Sequence, residues 1–581
     1  MSKLKTGRVF LLLLFLTLFI LFGYAFSDKL SKEALPAEVS YELYLGDGRS
    51  GWNNSSAEAA SDIIRFFPLS DNGTYGFVLP ASWDISQLRL FLSGTDRIRI
   101  GLRQYRSGDS ISLPLNETIT VNSPGSPKIA LILKKTGDLP VFFIHTESGT
   151  SDAIHADKTF REAGTLLMTD ADGSTLFHGN LTYIRGRGND TFLNNKKPYQ
   201  IKLEDSTSLA GLRKGKTWIL LANALDRSHI RNRLALDLAR YSGAFSYTPY
   251  SRSIDLYLNH DYKGTYLLTE KVETGHNRLQ IRDLEKELED MNPTLDFSNL
   301  PVYGDLSCEP DARKYYKIPE EPVDLSGGYI IQSDKTVRYE TEASAFVTSR
   351  GCPFTTQEPK YMSEAQMKYL SALFQQIEDA LFSEDGFDPA SGLHYSELLD
   401  LPSFVNRYLL AELLNDYDAQ YTYYYKDSDS VDTKIYTGPV WDQDNILGVW
   451  LSRSDPSVLH LYHEYEQAED WFWFTQASRH ADFIASVKET YFRIYRPAVL
   501  ILLGEETDSR GILKSIDEYA EEVRASAEMD FFRWANPLKP NLPFYNTASG
   551  ESFDLQIRFM KDYLAVRLET MDSFFLHLAL E

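Results

Sequence analysis

Two pairs of acidic residues have the types and spacing that best suit catalysis. Asp416 and Asp418 follow an apolar helical stretch, and Asp442 and Asp444 follow a short strand-like run after a polar turn. In an extended segment, residues two positions apart project to the same side, so Asp442 and Asp444 could both face one Mg²⁺ ion. Asp416 or Asp418 could then orient or deprotonate a hydroxyl nucleophile in a phosphoryl transfer. Asp-x-Asp also occurs in simple turns and calcium sites, and the pattern alone leaves both open.

A glycine-rich segment supplies a candidate anion site earlier in the chain. Gly186 and Gly188 flank Arg187 in the run Arg-Gly-Arg-Gly-Asn. Backbone N–H groups and a guanidinium could therefore approach phosphate oxygens. The next strand-like run, residues 199–203, alternates so that Lys202 projects away from the apolar side chains. This predicts a phosphate-binding lysine behind the loop; the alternative is a plain hairpin turn with a solvated lysine.

Two more charged residues stand at the ends of predicted elements. Arg231 lies in a helix predicted over residues 228–241, at the edge of its apolar stripe, where it could brace the glycine-rich loop or the lysine strand. Glu270 ends a β-hairpin predicted over residues 254–270. There it could pair with Lys202 or lie at the adenine edge of a nucleotide. The alternatives are an ordinary helix surface and an exposed strand end.

The elements that must position these residues change in type along the chain. Residues 28–140 alternate apolar and polar positions between frequent turn residues, which predicts a small β domain of the sandwich type. Residues 139–281 are strand-rich, and the charged, proline-containing residues 282–325 are predicted to be an irregular insertion. The class is therefore α+β, with acidic motifs at the junction of a strand-rich and a helical part, as in an enzyme with a cleft. The predicted helices beyond residue 360 are 363–384, 403–414, 478–501, 511–534 and 553–577.

The amino terminus has the pattern of an export or anchoring segment. Lys3, Lys5 and Arg8 precede an uncharged apolar run over residues 9–26. At about 1.5 Å per residue this run can just span a hydrocarbon core. Few small residues stand where a signal peptidase would cut, which favours an anchor over residues 1–27; a cleaved signal peptide is the alternative. We expect a single-pass protein of the cell membrane with its bulk extracytoplasmic, or a secreted protein after cleavage.

Composition bounds the function classes and the partners. Hydrophobic residues make up 43% of the 581 positions and charged residues 24%, which is typical of folded domains. The net charge of -23, with no block of Lys and Arg, argues against nucleic acid and favours basic partners. Cys308 and Cys352 could form a disulfide outside the cytoplasm or remain free thiols, and the sequence leaves both open.

Taken in order, the motifs resemble the CotH kinase family, named after spore-coat protein H. The resemblance covers roughly residues 140–578 and leaves the first β domain outside. Each motif is modest, and their shared order carries the resemblance. The motifs are Arg-Gly-Arg-Gly-Asn at 185–189, Lys-Lys-Pro-Tyr-x-Ile-Lys at 196–202, Trp-x-Leu-Leu-Ala-Asn at 218–223 with Asp226 and Arg231-Asn232, the hairpin at 258–270, Gly-Gly-Tyr-Ile at 327–330, Tyr-Tyr-Lys-Asp at 424–427 and Gly-Pro-Val-Trp-Asp-x-Asp at 438–444.

This resemblance implies an atypical bilobal protein-kinase-like fold. Its strand-rich N-lobe would cover about residues 141–340 and its helical C-lobe about residues 341–578. ATP with Mg²⁺ or Mn²⁺ would bind between the lobes, and the γ-phosphoryl group would pass to Ser or Thr of a secreted or surface protein. From the acidic net charge, we expect that substrate to be basic, and Ser-rich.

The family also implies roles for individual residues. Asp418 resembles the catalytic acid, although an alignment without a gap would make Asp416 the matching residue. Asp442 and Asp444 resemble the metal-binding motif. The predicted nucleotide contacts are Lys202, Arg187, Glu270 and Arg231.

One departure from the family bears on activity. Where relatives show Asn or Ser before the aromatic run, this chain has Thr422 or Tyr423, which are poor metal ligands. The alternative function is therefore a catalytically inactive binding or assembly protein of the cell envelope or coat. A metal-dependent phosphoester or glycan hydrolase is a third possibility.

Overall fold

The structure, a computed structural model, describes residues 39–47, 63–70, 73–460, 472–538, 546 and 552–578. The chain divides into two compact units: the first contains residues up to 79 and 83–135, and the second contains residues 80–82 and 136–581. The anchor predicted over residues 1–27 lies outside the described residues. Of the helices within those ranges, none combines the length and apolar character that a membrane crossing requires.

The first unit consists of two β-sheets. Its strands are β1 Glu42–Asp47, β2 Ile63–Arg65, β3 Phe67–Ser70, β4 Thr74–Leu79, β5 Leu88–Ser93, β6 Ile98–Ile100, β7 Arg103–Tyr105, β8 Ser110–Ile111, β9 Thr118–Asn122 and β10 Ile129–Lys135. One sheet has the order β2-β1-β5-β8 and the other β3-β4-β10-β9-β6-β7. Along β10, Ile129, Leu131 and Leu133 are buried and the residues between them are partly exposed. This alternation gives the sheet one apolar face, as the sequence pattern predicted.

The second unit begins with a closed seven-stranded barrel. Its elements are β11 Val141–Thr146, α1 Asp152–Ala156, β12 Glu162–Thr169, β13 Thr175–Gly186, β14 Tyr199–Thr207, β15 Gly215–Leu221, α2 Arg231–Ser242, β16 Ser251–Leu258 and β17 Asp261–Glu270. The strand order is β11-β12-β13-β14-β15-β17-β16, and a parallel pairing of β11 with β16 closes the barrel. The strand-rich character predicted for this part of the chain is confirmed.

Side-chain alternation in β14 places Lys202 on the outside of the barrel. Tyr199, Ile201 and Leu203 are buried in the barrel core. Lys202 is half-buried on the opposite face of the strand, where its backbone pairs with Tyr183. The predicted separation of this lysine from the apolar face is therefore confirmed.

The predicted hairpin is formed by β16 and β17. Asn259 and His260 connect the two strands and have φ values of 49° and 70°. Two consecutive left-handed residues are typical of the tight turn that suits the twist of a two-stranded hairpin.

Helix α2 is buried along most of its length. Residues 231–239 are all buried, so Arg231 lies in the interior and the expected position at the edge of a surface stripe is wrong. Asp226 accepts a hydrogen bond from the Arg231 backbone N–H at 2.8 Å and thereby satisfies a free donor at the helix start, as expected of a capping residue. Gly243, with φ of 70°, ends the helix.

A seven-stranded sheet follows the barrel. It has the order β18-β19-β21-β22-β20-β23-β24, and two helices come before β21 in the chain. These elements are α3 Leu284–Met291, β18 Val302–Gly304, β19 Arg313–Tyr316, β20 Tyr329–Ser333, α4 Thr336–Thr341, β21 Ala345–Val347, β22 Pro353–Glu358, β23 Tyr423–Lys426 and β24 Tyr436–Thr437. The proposed lobe boundary near residue 340 falls inside this sheet.

The segment 282–325 is more regular than predicted. It contains α3 and two strands of the sheet. Side-chain capping and the burial of apolar residues stabilise this regular structure. The Asp283 side chain caps α3 by accepting the Lys286 N–H, and Leu284 and Leu288 are buried in the core. High charge alone was therefore a misleading indicator of irregular structure.

Helices dominate the remainder of the chain. They are α5 Glu364–Phe382, α6 Tyr395–Leu398, α7 Leu401–Leu414, α8 Trp473–Ala477, α9 Ala481–Thr490, α10 Arg496–Leu503, α11 Ile516–Arg533 and α12 Phe553–His577. The helix predicted over residues 478–501 is divided by a π-helical turn, Tyr491–Tyr495. The predicted α+β class and the helical carboxy-terminal part are confirmed.

The two cysteines are free thiols in the structure. Cys352 is buried in the apolar core, and Cys308 is half-buried beside a second small cluster. Burial raises the pKa of both thiols, which disfavours the thiolate and hence thiol reactivity.

A buried ion pair joins helix α11 to the barrel. Lys196 Nζ lies 2.5 Å from Asp530 Oδ1 and 2.6 Å from the Thr265 carbonyl oxygen, and both charged side chains are almost fully buried. The Thr265 N–H donates to the same carboxylate at 3.0 Å. Burial opposes ionisation of Asp530, but Lys196 and His229 hold its pKa well below the ordinary value. Gly264 is required here, because a Cβ would lie 2.1 Å from Asp530 Oδ1.

The substitution Lys196→Met leaves the Asp530 carboxylate buried without its cation. We expect the free energy of unfolding of the second unit to fall by about 3–5 kcal/mol, measured by urea denaturation. Lys197→Met is the matched control, because Lys197 Nζ donates to backbone carbonyls of Phe192 and Asn194. That variant is expected to lose about 1–2 kcal/mol. Equal losses would contradict the importance of the buried pair.

Candidate active site

Backbone hydrogen bonds hold the two acidic segments side by side. Helix α7 ends at Asn415, whose left-handed backbone, with φ of 50°, turns the chain into the first segment. The Tyr417 N–H then donates to the Asn445 carbonyl at 3.2 Å, and the Leu447 N–H donates to the Leu414 carbonyl at 2.7 Å. These bonds bring together acidic pairs that are more than twenty residues apart in the chain.

Asp416 is fully engaged in holding this arrangement. Its carboxylate accepts hydrogen bonds from Arg407 at 3.0 Å, from Gln443 Nε2 at 3.2 Å and from the Asp418 N–H at 3.0 Å. It is also buried, with 2% exposure. Asp416 therefore fits a structural role better than that of a proton acceptor.

Asp418 is the less constrained carboxylate of the first pair. It is half-buried and accepts one side-chain hydrogen bond, from Asn445 Nδ2 at 2.5 Å. Burial, with the negative charge of Asp416 beside it, raises the pKa of Asp418 to about 6. A carboxylate with a pKa near neutrality is a suitable proton acceptor.

Asp442 and Asp444 lie close enough to influence each other strongly. Burial, followed by the charges of Asp442 and Asp418, raises the pKa of Asp444 well above its ordinary value. Asp442 is exposed to solvent. Partial loss of the water around its carboxylate nevertheless raises its pKa, and the positive charge of Arg187 opposes that rise. The site therefore concentrates negative charge that a cation would relieve.

The backbone between these two residues differs from the expectation. Asp442 has a φ of 59°, a left-handed conformation that is uncommon for a residue other than glycine. The segment is therefore not extended, and simple alternation does not explain how the two carboxylates come together. Their approach depends on the turn at Asp442.

Asn445 completes the set of oxygen atoms that could bind a metal ion, and the sequence did not identify it as a site residue. Its Oδ1 atom is buried without a hydrogen-bond donor, as is Gln443 Oε1. Such atoms are costly to bury unless a ligand satisfies them. The sequence feature that could have identified Asn445 is its position three residues after Asp442, in the same acidic segment.

The residues present fit a Mg²⁺ site of the kind that shares its ion with phosphates. Within the described part of the chain, no group of three or more His, Cys, Asp or Glu side chains is arranged to hold a metal ion by itself. Mg²⁺ commonly takes one or two carboxylates and completes its shell with water and substrate oxygens. Asp442, Asp444 and the amide oxygen of Asn445 would hold it.

Arg187 of the glycine-rich loop faces the acidic segment. Its guanidinium carbon lies 5.4 Å from the centre of the Trp441 ring. Burial lowers the pKa of Arg187, and the negative charges of Asp442 and Asp444 oppose that shift. The structure thus places a cation next to the predicted metal ligands.

The two glycines of this loop are required by its own packing. A Cβ at Gly186 would lie 2.2 Å from the Phe192 ring, and one at Gly188 would lie 2.2 Å from Thr191 Oγ1. Gly188 also has a φ of 85°. The glycines therefore set the loop conformation that presents Arg187.

Lys202 does not contact the acidic site in this structure. Among the residues described, its ammonium has neither an ion-pair nor a hydrogen-bond partner. The cation beside Asp442 is Arg187. A phosphate contact by Lys202 stays a prediction.

Glu270 is occupied by other partners. It is fully buried and accepts hydrogen bonds from Arg213 at 3.0 and 2.5 Å and from the Tyr250 N–H at 3.1 Å. Arg278 lies 3.6 Å away. The suggested ion pair with Lys202 is not formed, and the strand end is not exposed. No further donor is needed to satisfy this carboxylate, so a nucleotide contact there stays a prediction without support from the geometry.

Arg231 and Asn232 brace the acidic segment from helix α2. Arg231 Nη1 lies 2.6 Å from Asp226 Oδ1, and its Nε donates to the Ile446 carbonyl at 3.1 Å. Asn232 Oδ1 accepts the Gln443 N–H at 2.7 Å. The sequence suggested that these residues brace the glycine-rich loop or the lysine strand, and the structure places the brace on the acidic loop. Arg231 is fully buried, so its predicted contact with a cofactor gains no support.

Comparison with known protein families identifies the chain's relatives. A family model described as CotH kinase protein matches residues 184–571. The matched span begins in β13, ends in α12 and includes every residue of the candidate site described above. No curated protein matches the chain.

Removing the Asn232 acceptor tests the brace without touching the candidate ligands. Asn232→Ala frees the Gln443 N–H, so we expect the affinity for Mg²⁺-ATP, measured by calorimetry, to fall about 10-fold or more. Asn406→Ala is the matched control. Asn406 is equally buried, but its Nδ2 donates to Pro402 within its own helix. Equal affinities in the two variants would exclude the brace.

Proposed function

The chain belongs to the CotH kinase family, and on this premise we propose that it is an ATP-dependent protein serine/threonine kinase. The observation that carries the proposal is the placement of Asp418, hydrogen-bonded to Asn445, beside the repelling pair Asp442 and Asp444. Phosphoryl transfer depends mainly on positioning and charge neutralisation, and this set of residues supplies both.

Asp418 is the proposed proton acceptor. The oxygen of the substrate hydroxyl forms a bond to the γ-phosphorus while the bond to the β–γ bridging oxygen breaks. That oxygen leaves on ADP with its electron pair, and the hydroxyl proton passes to Asp418. A pKa of about 6 leaves most Asp418 side chains ionised at neutral pH and able to accept the proton.

Asp442, Asp444 and Asn445 are the proposed holders of Mg²⁺ or Mn²⁺. The ion, when bound, neutralises charge on the phosphates of ATP. Arg187 adds a guanidinium next to the same carboxylates, where it would bind a phosphate oxygen. Asp416 keeps the loop in place through Arg407 and is not assigned to the proton transfer.

We assign ATP to the junction between the barrel and the helical part, as in a bilobal kinase-like fold. An apolar cluster supports this placement. Ile219, Leu221 and Leu267 are buried together on the barrel, and Trp441 packs against them immediately before Asp442. Trp441 is only half-buried there, so its ring can contact a nucleotide base next to the proposed phosphate site.

The proposed protein substrate is basic and Ser-rich, and extracytoplasmic. The net charge of -23 supports a basic partner. The apolar run at the amino terminus supports export or anchoring in the membrane. The alternative of an inactive binding protein arose from Thr422 and Tyr423. The Thr422 hydroxyl donates to the Ala419 carbonyl, and we assign the oxygen ligand to Asn445 instead, whose Oδ1 is buried without a donor.

Two substitutions separate the roles of the first acidic pair. Asp418→Asn is expected to lower kcat by about 10²-fold or more with little change in Mg²⁺-ATP affinity, because it removes the proton acceptor. Asp416→Asn is expected to lower the melting temperature, because it weakens a buried ion pair with Arg407. Transfer from γ-labelled ATP to a basic Ser-rich protein measures the first effect. An active Asp418→Asn enzyme would refute the assignment.

Asn445→Ala removes a proposed metal ligand. We expect the Mg²⁺ concentration that gives half-maximal transfer to rise about 10-fold or more. Asn299→Ala is the matched control, because Asn299 Nδ2 also donates to a carboxylate, that of Asp296, in an exposed 3₁₀ turn. If both variants keep the wild-type Mg²⁺ dependence, Asn445 is not a ligand.

A further inference from the structure

Lys335 is a second cation beside the acidic site. It follows strand β20, and its Nζ lies 4.6 Å from the centre of the Tyr421 ring. Tyr421 comes three residues after Asp418, and its N–H donates to the Asp418 carbonyl at 2.9 Å. The ammonium therefore packs against the turn that carries the proposed base.

The backbone anchors this lysine beside the Asp418 segment. The Ser333 N–H donates to the Thr422 carbonyl at 3.0 Å, and the Ser333 hydroxyl donates to the Gln420 carbonyl at 2.6 Å. In return, the Thr422 N–H donates to the Ser333 hydroxyl at 2.9 Å. Lys335 follows two residues later, so its position relative to Asp418 depends on strand pairing and not on a loose loop.

The ammonium of Lys335 is not neutralised by the adjacent carboxylate. Asp334, the adjacent carboxylate, accepts from Thr355 at 3.0 Å and lies 3.5 Å from Arg338. In the described part of the chain, the Lys335 ammonium contacts the Tyr421 ring but no carboxylate within ion-pair distance. An attraction to an aromatic face is weak at an exposed site. The ammonium thus keeps its hydrogen-bond donors for a ligand.

The two cations lie at different parts of the site. The Arg187 guanidinium packs on the Trp441 ring, next to Asp442, whereas the Lys335 ammonium packs on the Tyr421 ring, in the turn after Asp418. In the proposed reaction the γ-phosphoryl group must pass between the metal ligands and the base. Lys335 is the cation on the side of the base.

We propose that Lys335 is a further catalytic residue, whose ammonium binds the γ-phosphoryl oxygens of ATP during transfer. This inference rests on the proposed kinase function. The compact charge of a lysine can follow those oxygens while the bond from the acceptor oxygen forms and the bond to the bridging oxygen of ADP breaks. The hydroxyl proton still passes to Asp418, and Lys335 remains protonated throughout.

The test compares Lys335→Met and Lys335→Arg with a matched control, Lys317→Met. Lys317 is also exposed, and its Nζ lies over another tyrosine ring, that of Tyr303, at 4.3 Å. Calorimetry with Mg²⁺ measures the binding of ADP and of a β,γ-imido analogue of ATP. Transfer from γ-labelled ATP to a basic Ser-rich protein measures kcat.

A γ-phosphoryl contact predicts a selective loss. Lys335→Met should weaken binding of the ATP analogue about 10-fold or more, leave ADP binding within about 2-fold, and lower kcat about 10²-fold or more. Lys335→Arg should restore part of the analogue affinity because it keeps the charge. Lys317→Met should match the wild type in each measurement.

The outcomes separate this inference from the function on which it rests. If the wild type transfers phosphate and Lys335→Met does so at the same rate with the same preference for the analogue over ADP, the role of Lys335 is refuted and the kinase proposal stands. If the wild type binds the analogue but transfers nothing, a selective affinity loss in Lys335→Met still supports the γ-phosphoryl contact. If the wild type binds no ATP, both proposals are overturned.

Discussion

The buried pair of Arg231 and Asp226 is the interaction on which the candidate site depends. Asp226 caps helix α2 and neutralises Arg231, and Arg231 in turn holds the Ile446 carbonyl, next to the acidic residues. An unpaired guanidinium or carboxylate at this depth would be strongly destabilising, so the two groups must remain together. The pair therefore fixes the loop that carries Asp442 and Asp444 in position relative to α2. This network gives the acidic loop a defined geometry.

Charge is distributed unevenly within this acidic protein. The site gathers several carboxylates whose pKa values are raised by burial and mutual repulsion, and only a few cations stand near them. Arg187 comes from the barrel, and Lys335 comes from the seven-stranded sheet. Each is presented by a backbone feature with its own structural cause, glycine packing in one case and strand pairing in the other. A divalent ion would offset the negative charge that these two cations leave.

The attachment of α11 to the barrel has a similar physical basis. Lys196 belongs to the Lys-Lys-Pro-Tyr-x-Ile-Lys motif on which the family resemblance rests. Its ammonium is buried against Asp530 and stabilises the fold. Lys202 lies on the next barrel strand, β14, and projects from its outer face. Two lysines of one motif thus have different surroundings, and a shared motif does not imply a shared role.

The sequence by itself determined the α+β class, the outward projection of Lys202, the hairpin at β16 and β17, the helices beyond residue 360 and the family. Each follows from local periodicity, turn residues or the order of motifs, which are properties of neighbouring positions in the chain. Only the tertiary structure decided that Asp416 is held by Arg407, that Glu270 is held by Arg213, and that Arg231 supports the acidic loop. It also brought Asn445 and Lys335 to Asp418. The physical reason is that a buried polar group must find its partner wherever packing places one, and that partner lies far away in sequence.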